Sequence, residues 1–74
     1  MKYKLPTLDL HGIYHREVDN LLHNFLGKNL DNLPVEIITG NSERMKDIVK
    51  KIIESYKLEM HIKSHYNLGS FIVG

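Results

Sequence analysis

From Thr7 to Leu10 apolar and polar residues alternate: Leu8 and Leu10 share one face and Asp9 takes the other, the two-residue rhythm of a short strand. His11 emerges where that strand ends, and Gly12 lets the backbone turn sharply or pass close to a ligand. The rhythm then changes. Tyr14, Val18, Leu21, Leu22, Phe25 and Leu26 follow the three-four spacing of an amphipathic helix, with Arg16, Glu17, Asp19, Asn20, His23 and Asn24 on its polar face. Gly27 and the run Asn29–Asn32 are stop signals, and Leu30 offers one more turn of the stripe. Beyond Pro34, Val35–Ile38 is a mostly apolar strand suited to the middle of a sheet. Thr39-Gly40-Asn41-Ser42 breaks it; Asn41 or Ser42 can cap the next helix, and Glu43 suits the positive end of its dipole. Met45, Ile48, Val49, Ile52, Ile53 and Tyr56 mark that second helix, the clearest periodic signal in the chain. Leu58, Met60 and Ile62 alternate with Glu59, His61 and Lys63 as a half-buried strand. Asn67-Leu68-Gly69 supplies a turn, and Ser70–Val73 is a last short strand.

The order is βαβαββ. Strands alternating with helices predict parallel pairing through right-handed crossovers, and the final hairpin adds an antiparallel edge. Each helix has a single apolar stripe, so both can lie on the same face of a four-stranded mixed sheet, an α/β two-layer sandwich. Seventy-four residues make one domain. A chain of this length buries only about 60% of its unfolded surface, which leaves a thin stability margin.

Two turns in this order carry chemical promise. A strand followed by glycine and a helix amino end presents backbone N–H groups without internal partners, a general anion-binding device. The chain offers it at Gly12 and again at Gly40. In a parallel sheet both turns lie at carboxyl ends of strands. If those strands are neighbours, Asp9, His11, Thr39, Gly40, Asn41 and Ser42 converge on one rim. A carboxylate and an imidazole two residues apart, beside a glycine turn, can hold a metal, move a proton or grip a phosphate. The plainer explanations are a strand-end carboxylate bonded locally, a loop histidine packed on the sheet, and a Gly40 turn that only carries a cap.

Composition narrows the chemistry. The absence of cysteine removes disulfides, thiolate zinc sites and cysteine nucleophiles together, so any metal would rest on oxygen and imidazole. Apolar residues at 42% and charged residues at 26% fit a soluble globular chain. Apolar runs stay far below the ~18 residues that cross a bilayer. Lys2 and Lys4 lead into Pro6 and Asp9 rather than an apolar signal segment, so a cytoplasmic protein with no membrane partner is expected. A net charge of +1 does not by itself argue for nucleic acid. Residues 43–63 nevertheless carry six basic against four acidic groups, with Arg44, Lys46, Lys50 and Lys51 in the second helix. Such a run can be a solvated face or a phosphate-attracting one. His61 and His65 lack the helical spacing of metal-binding pairs and read as solvated surface residues. His15, at the start of the first helix, can meet a phosphate when protonated or merely face water. Tyr3 and Tyr66 can stack on bases or simply complete a small core.

With LDLHG at Leu8-Asp9-Leu10-His11-Gly12, the chain resembles the Smr (small MutS-related) domain family. Its second strand ends in Thr39-Gly40-Asn41-Ser42, similar to that family's (His/Thr)-Gly-x-Gly turn. Element order and the Asn67–Gly69 turn before the last strand extend the resemblance over residues 1–74. The fold it implies is also similar to the carboxyl-terminal domain of bacterial translation initiation factor three. The resemblance implies binding and cutting of nucleic acid, with Asp9 and His11 in the positions implicated in cleavage or substrate contact. Ser42 departs from the family's second glycine; its side chain can narrow the approach to a phosphate, or its hydroxyl can donate to one. Thr39 stands where a histidine is common and removes one general acid or base.

The leading expectation is therefore an Smr-like domain that binds nucleic acid, DNA or RNA, and acts as a weak endonuclease. Asp9 would ligate Mg2+ or Mn2+ or orient the attacking water, and His11 would shuttle a proton or stabilise the leaving oxygen. Gly12, His15, Thr39, Gly40, Asn41 and Ser42 would hold backbone phosphate, with Arg44 and Lys46 adding attraction. The sequence holds no full metal cage, so phosphate oxygens and water would complete it, and a metal-free route stays open. A DNA- or RNA-binding module without catalysis is one alternative. The other is a small interaction domain that docks a larger protein. The chain itself is expected to be a monomer.

Overall fold

The computed structural model describes residues 5–74; Lys2, Tyr3 and Lys4 lie outside the described residues. The elements are β1 (Thr7–Asp9), α1 (His15–Asn29), a 3-10 turn (Leu30–Asn32), β2 (Val35–Ile38), α2 (Glu43–Ser55), β3 (Met60–Ser64) and β4 (Asn67–Val73). They form the expected α/β architecture, a single four-stranded mixed sheet in the order β1-β2-β4-β3 with two helices. β1 and β2 are parallel neighbours, with Asp9 opposite Ile38. β4 runs antiparallel to both β2 and β3.

The antiparallel strand is thus an inner strand, inserted between β2 and β3, and β3 forms the edge. The final hairpin forms one edge of the sheet as expected, and burial decides which of its two strands lies inside. Phe71 and Val73 of β4 are buried, whereas no residue of β3 is. The strand with more apolar surface to hide takes the covered position, and the strand bearing His61 and Lys63 takes the edge.

Both crossovers step the same way across the sheet, so with one hand of connection both helices fall on one face. Val18, Leu22 and Leu26 of α1 and Met45, Val49, Ile52 and Ile53 of α2 meet Leu10, Val35, Ile37 and Val73 in one buried cluster. Tyr14 and Leu21 were expected on the α1 stripe, but Tyr14 is mostly in solvent and Leu21 is more than a third exposed. Tyr14 occupies the N-cap position, outside the helix proper. Gly27 does not stop α1, which continues to Asn29; the Asn29 amide there donates back to the Phe25 carbonyl at 2.8 Å. His23, expected on the polar face, meets the Tyr56 hydroxyl through Nδ1 at 2.7 Å and ties α1 to the end of α2.

α2 closes with Lys57 N–H donating to Glu54 O and Leu58 N–H to Ile53 O. This is the Schellman arrangement, with Lys57 at φ 59° in the position usually given to glycine. The β3–β4 hairpin turns at His65 and Tyr66, so β4 begins at Asn67 rather than at Ser70. The pairing of β3 with β4 shifts register between Ile62 and Ser64. That irregularity sits beside the rim where the turns after β1 and β2 emerge.

Candidate nucleic-acid interface

Parallel pairing of β1 with β2 brings their two following turns together. Leu10 N–H donates to Ile38 O at 2.7 Å, and beyond that rung His11 meets Gly40. The His11 Cβ and Cδ2 atoms lie 3.7 Å from where a Cβ on Gly40 would stand, so the imidazole is seated against the second turn. Gly12 and Gly40 have φ of +80° and +71°. A side chain in that left-handed region costs roughly 1–2 kcal/mol, which is why both turns use glycine. At Gly12 the backbone angle is the whole reason, since a Cβ there meets nothing within 4 Å.

Asp9 Oδ1 accepts the His11 N–H at 3.0 Å, an Asx-type turn that shapes the loop. Both side chains are exposed. Among the described residues Asp9 enters no ion pair. One carboxylate oxygen therefore sets the loop, and the imidazole stays accessible beside it.

The remaining sequence-derived candidates divide. Thr39 is 2% exposed, and its hydroxyl points at Gly40 O (2.9 Å) and Gly69 O (3.3 Å). It fastens the turn from within. Ser42 is the N-cap of α2, its Oγ accepting from Met45 N–H at 3.1 Å. This gives a physical reason for serine where a second glycine was the expected pattern: a hydroxyl caps the helix and glycine has none. The Ser42 hydroxyl proton is still free to donate. Asn41 is exposed next to it, and His15 and Arg44 are exposed in the first turns of α1 and α2. Lys46 belongs elsewhere. Its Nζ lies 3.1 Å from Glu43 Oε2, and it lines a groove of about 440 Å³ with Lys50, Met60, His61 and Phe71.

Among the described residues no three His, Cys, Asp or Glu gather as metal ligands. Asp9 holds the His11 N–H with Oδ1, and among the described residues its Oδ2 has no hydrogen-bond partner. A divalent ion would need phosphate oxygens and water for nearly all its ligands. His61 pairs with Glu59 at 3.2 Å and His65 sits in the hairpin turn.

The residue that sequence reasoning missed is Gly69. Its carbonyl accepts from Thr39 N–H at 2.7 Å and Gly40 N–H at 3.2 Å. Its own N–H donates to Asn67 Oδ1 at 3.1 Å, and Asn67 Nδ2 in turn donates to Ser70 Oγ at 3.2 Å. A Cβ on Gly69 would stand 2.8 Å from Gly40 O and 2.9 Å from Gly40 C and Cα. The Thr39 N–H to Gly69 O bond thus extends the β2–β4 ladder one rung past Ile38 and Ser70, and the Gly40 N–H shares that carbonyl. In the sequence Asn67-x-Gly69 carries only a turn signal; the partner it clamps lies thirty positions away.

No family model, curated protein or solved structure matches the chain. Among the described residues no helix is long and apolar enough to cross a membrane.

Proposed function

We propose that the chain is an Smr-like nucleic-acid-binding module that grips backbone phosphate at the rim shared by the turns after β1 and β2. The observation that carries this reading is the seating of His11 on Gly40, which gives two distant motifs one common surface. The resemblance at Leu8–Gly12 and Thr39–Ser42 supplies the ligand class. On this surface the phosphate would meet the His11 ring, the Asn41 amide and the amino end of α2, with Arg44 as an exposed positive charge in that helix's first turn. With a net charge of only +1, long-range steering is weak and affinity comes from a few local contacts.

Binding two or three phosphates predicts a shallow salt dependence, with a slope of log K against log salt of about −1.5 to −2.5. Titrating a labelled oligonucleotide at several salt concentrations measures it. His11→Ala and Arg44→Ala should each weaken binding, by severalfold or more. Unchanged affinity in both variants would remove the rim from consideration.

Weak endonuclease activity is the second reading, favoured by one observation: Asp9 and His11 are both exposed on the same short turn. In that scheme Asp9 orients a water for attack on phosphorus. His11 takes the water's proton as the new P–O bond forms and returns it to the leaving oxygen as the old one breaks. Incubating plasmid, branched DNA and structured RNA with wild type, Asp9→Ala and His11→Ala, each with Mg2+, Mn2+ or chelator, tests it. Cleavage lost in both variants supports catalysis; equal residual cleavage by all three proteins means contamination.

A further inference from the structure

We propose that the rim takes its nucleic acid as a single strand, with the Tyr66 ring stacking on a base next to the phosphate held at Gly40. This deepens the nucleic-acid reading above and rests on it.

Tyr66 is 101% exposed at the tip of the β3–β4 hairpin. That tip stands at the rim of the sheet occupied by the two glycine turns. Ser70 lies opposite Ile38, and the Gly69 carbonyl holds the Thr39 and Gly40 N–H groups. From Gly69 the chain runs back through Leu68 and Asn67 to Tyr66, past the end of β2, at roughly 3 Å per residue. The turn is held in shape by Tyr66 N–H donating to Ser64 Oγ at 3.1 Å. Leu68, just below it, is 51% exposed. On the opposite flank Tyr14 follows β1 and is 68% exposed, with the Arg16 guanidinium 5.0 Å from its ring centre.

The strand order β1-β2-β4-β3 sets the sequence along the rim: Tyr14, then the Gly40 turn, then Tyr66. An aromatic side chain therefore flanks the Gly40 turn on either side. The fold makes little use of these rings. Tyr56 shows the contrast, being half-buried, packed at 5.4 Å from the His23 ring and hydrogen-bonded to it. A duplex keeps its base faces inside its own stack and offers a rim only phosphates and groove edges. A single strand offers the faces themselves, and aromatic platforms beside a phosphate site are what binds them without regard to sequence.

The test compares a single-stranded oligonucleotide with a blunt duplex of the same sequence, binding to wild type, Tyr66→Ala, Tyr66→Phe and Tyr14→Ala. The protein has no tryptophan, so its intrinsic fluorescence comes from four tyrosines and reports stacking directly. The single strand should bind about tenfold more tightly than the duplex and quench tyrosine emission. Tyr66→Ala should lose about tenfold on the single strand and much of the quenching, Tyr66→Phe should retain affinity, and duplex binding should change by less than about twofold. Equal affinity for both ligands with no effect of Tyr66→Ala overturns the single-strand inference and leaves phosphate binding at the rim intact. Failure to bind either ligand removes both.

Discussion

Replacing Gly69 by alanine is the sharpest test of how the rim is built. The added Cβ would arrive 2.8 Å from Gly40 O and 2.9 Å from Gly40 C and Cα, all backbone atoms with no rotamer to yield. Ordinary contact needs 3.4 Å or more, so strand β4 and the turn must separate by at least half an ångström or so. That movement acts on the bonds from Thr39 and Gly40 N–H to Gly69 O, at 2.7 and 3.2 Å, and on the Thr39 hydroxyl. Overpacking of this kind costs about 1–3 kcal/mol, and leaving a buried Thr39 N–H poorly satisfied costs a further 1–3 kcal/mol or so. A combined loss in the lower part of that sum, about 3 kcal/mol, is a large part of the roughly 4–11 kcal/mol expected for a chain this long. It corresponds to a fall in Tm of roughly 12–24 °C. Urea and thermal denaturation followed by circular dichroism measure it, with Gly12→Ala as the comparison. Gly12 has the unfavourable φ but open space around it, so its loss should be only about 1–2 kcal/mol. A Gly69→Ala protein as stable as Gly12→Ala would refute the clamp.

Other consequences are smaller and separable. Gly27→Ala, in mid-helix with nothing within 4 Å, should stabilise by about 0.5–1 kcal/mol in the same assay. Lys57→Gly should also stabilise, by up to about 1 kcal/mol, since φ 59° in the Schellman turn disfavours lysine; a loss would show that the lysine side chain holds something there. Ser42→Ala should cost about 1 kcal/mol and Ser42→Gly only a few tenths, because the cap to Met45 N–H is lost in both but glycine is tolerated at that position. If the Ser42 side chain obstructs phosphate, Ser42→Gly should also raise oligonucleotide affinity; unchanged affinity dismisses obstruction. Leu22→Ala, at a fully buried position, should cost about 2–5 kcal/mol and leave little folded protein at elevated temperature.

Local periodicity carried most of the architecture. Both helices and β2 stand where their apolar spacing puts them, because a stripe at Val18, Leu22 and Leu26 or at Met45, Val49 and Ile52 has no other way to be buried. Connection rules gave the parallel direction of β1 and β2; the meeting of His11 and Gly40 was conditional on their being neighbours, which their pairing satisfies. What the sequence could not show depends on register between distant segments. The insertion of β4 inside the sheet is decided by which strand has more surface to bury, a comparison no single window contains. The same holds for Thr39, whose hydroxyl reads as a ligand group until Gly69 is found 3.3 Å away. Ser42 reads both as a candidate cap and as a departure from a motif, and its bond to Met45 N–H decides between Asn41 and Ser42 as the cap. Lys46 reads as part of a basic run until Glu43 and the groove beside β3 draw it aside.

Amide chemical shifts, followed while a short oligonucleotide is titrated into the protein, reach the core of the account most directly. If the turns after β1 and β2 form one phosphate-binding surface, His11, Gly12, Gly40 and Asn41 should shift together along one binding curve. Lys50 and His61, in the groove beside β3, should stay still. Shifts confined to that groove, or to one of the two turns without the other, would contradict it.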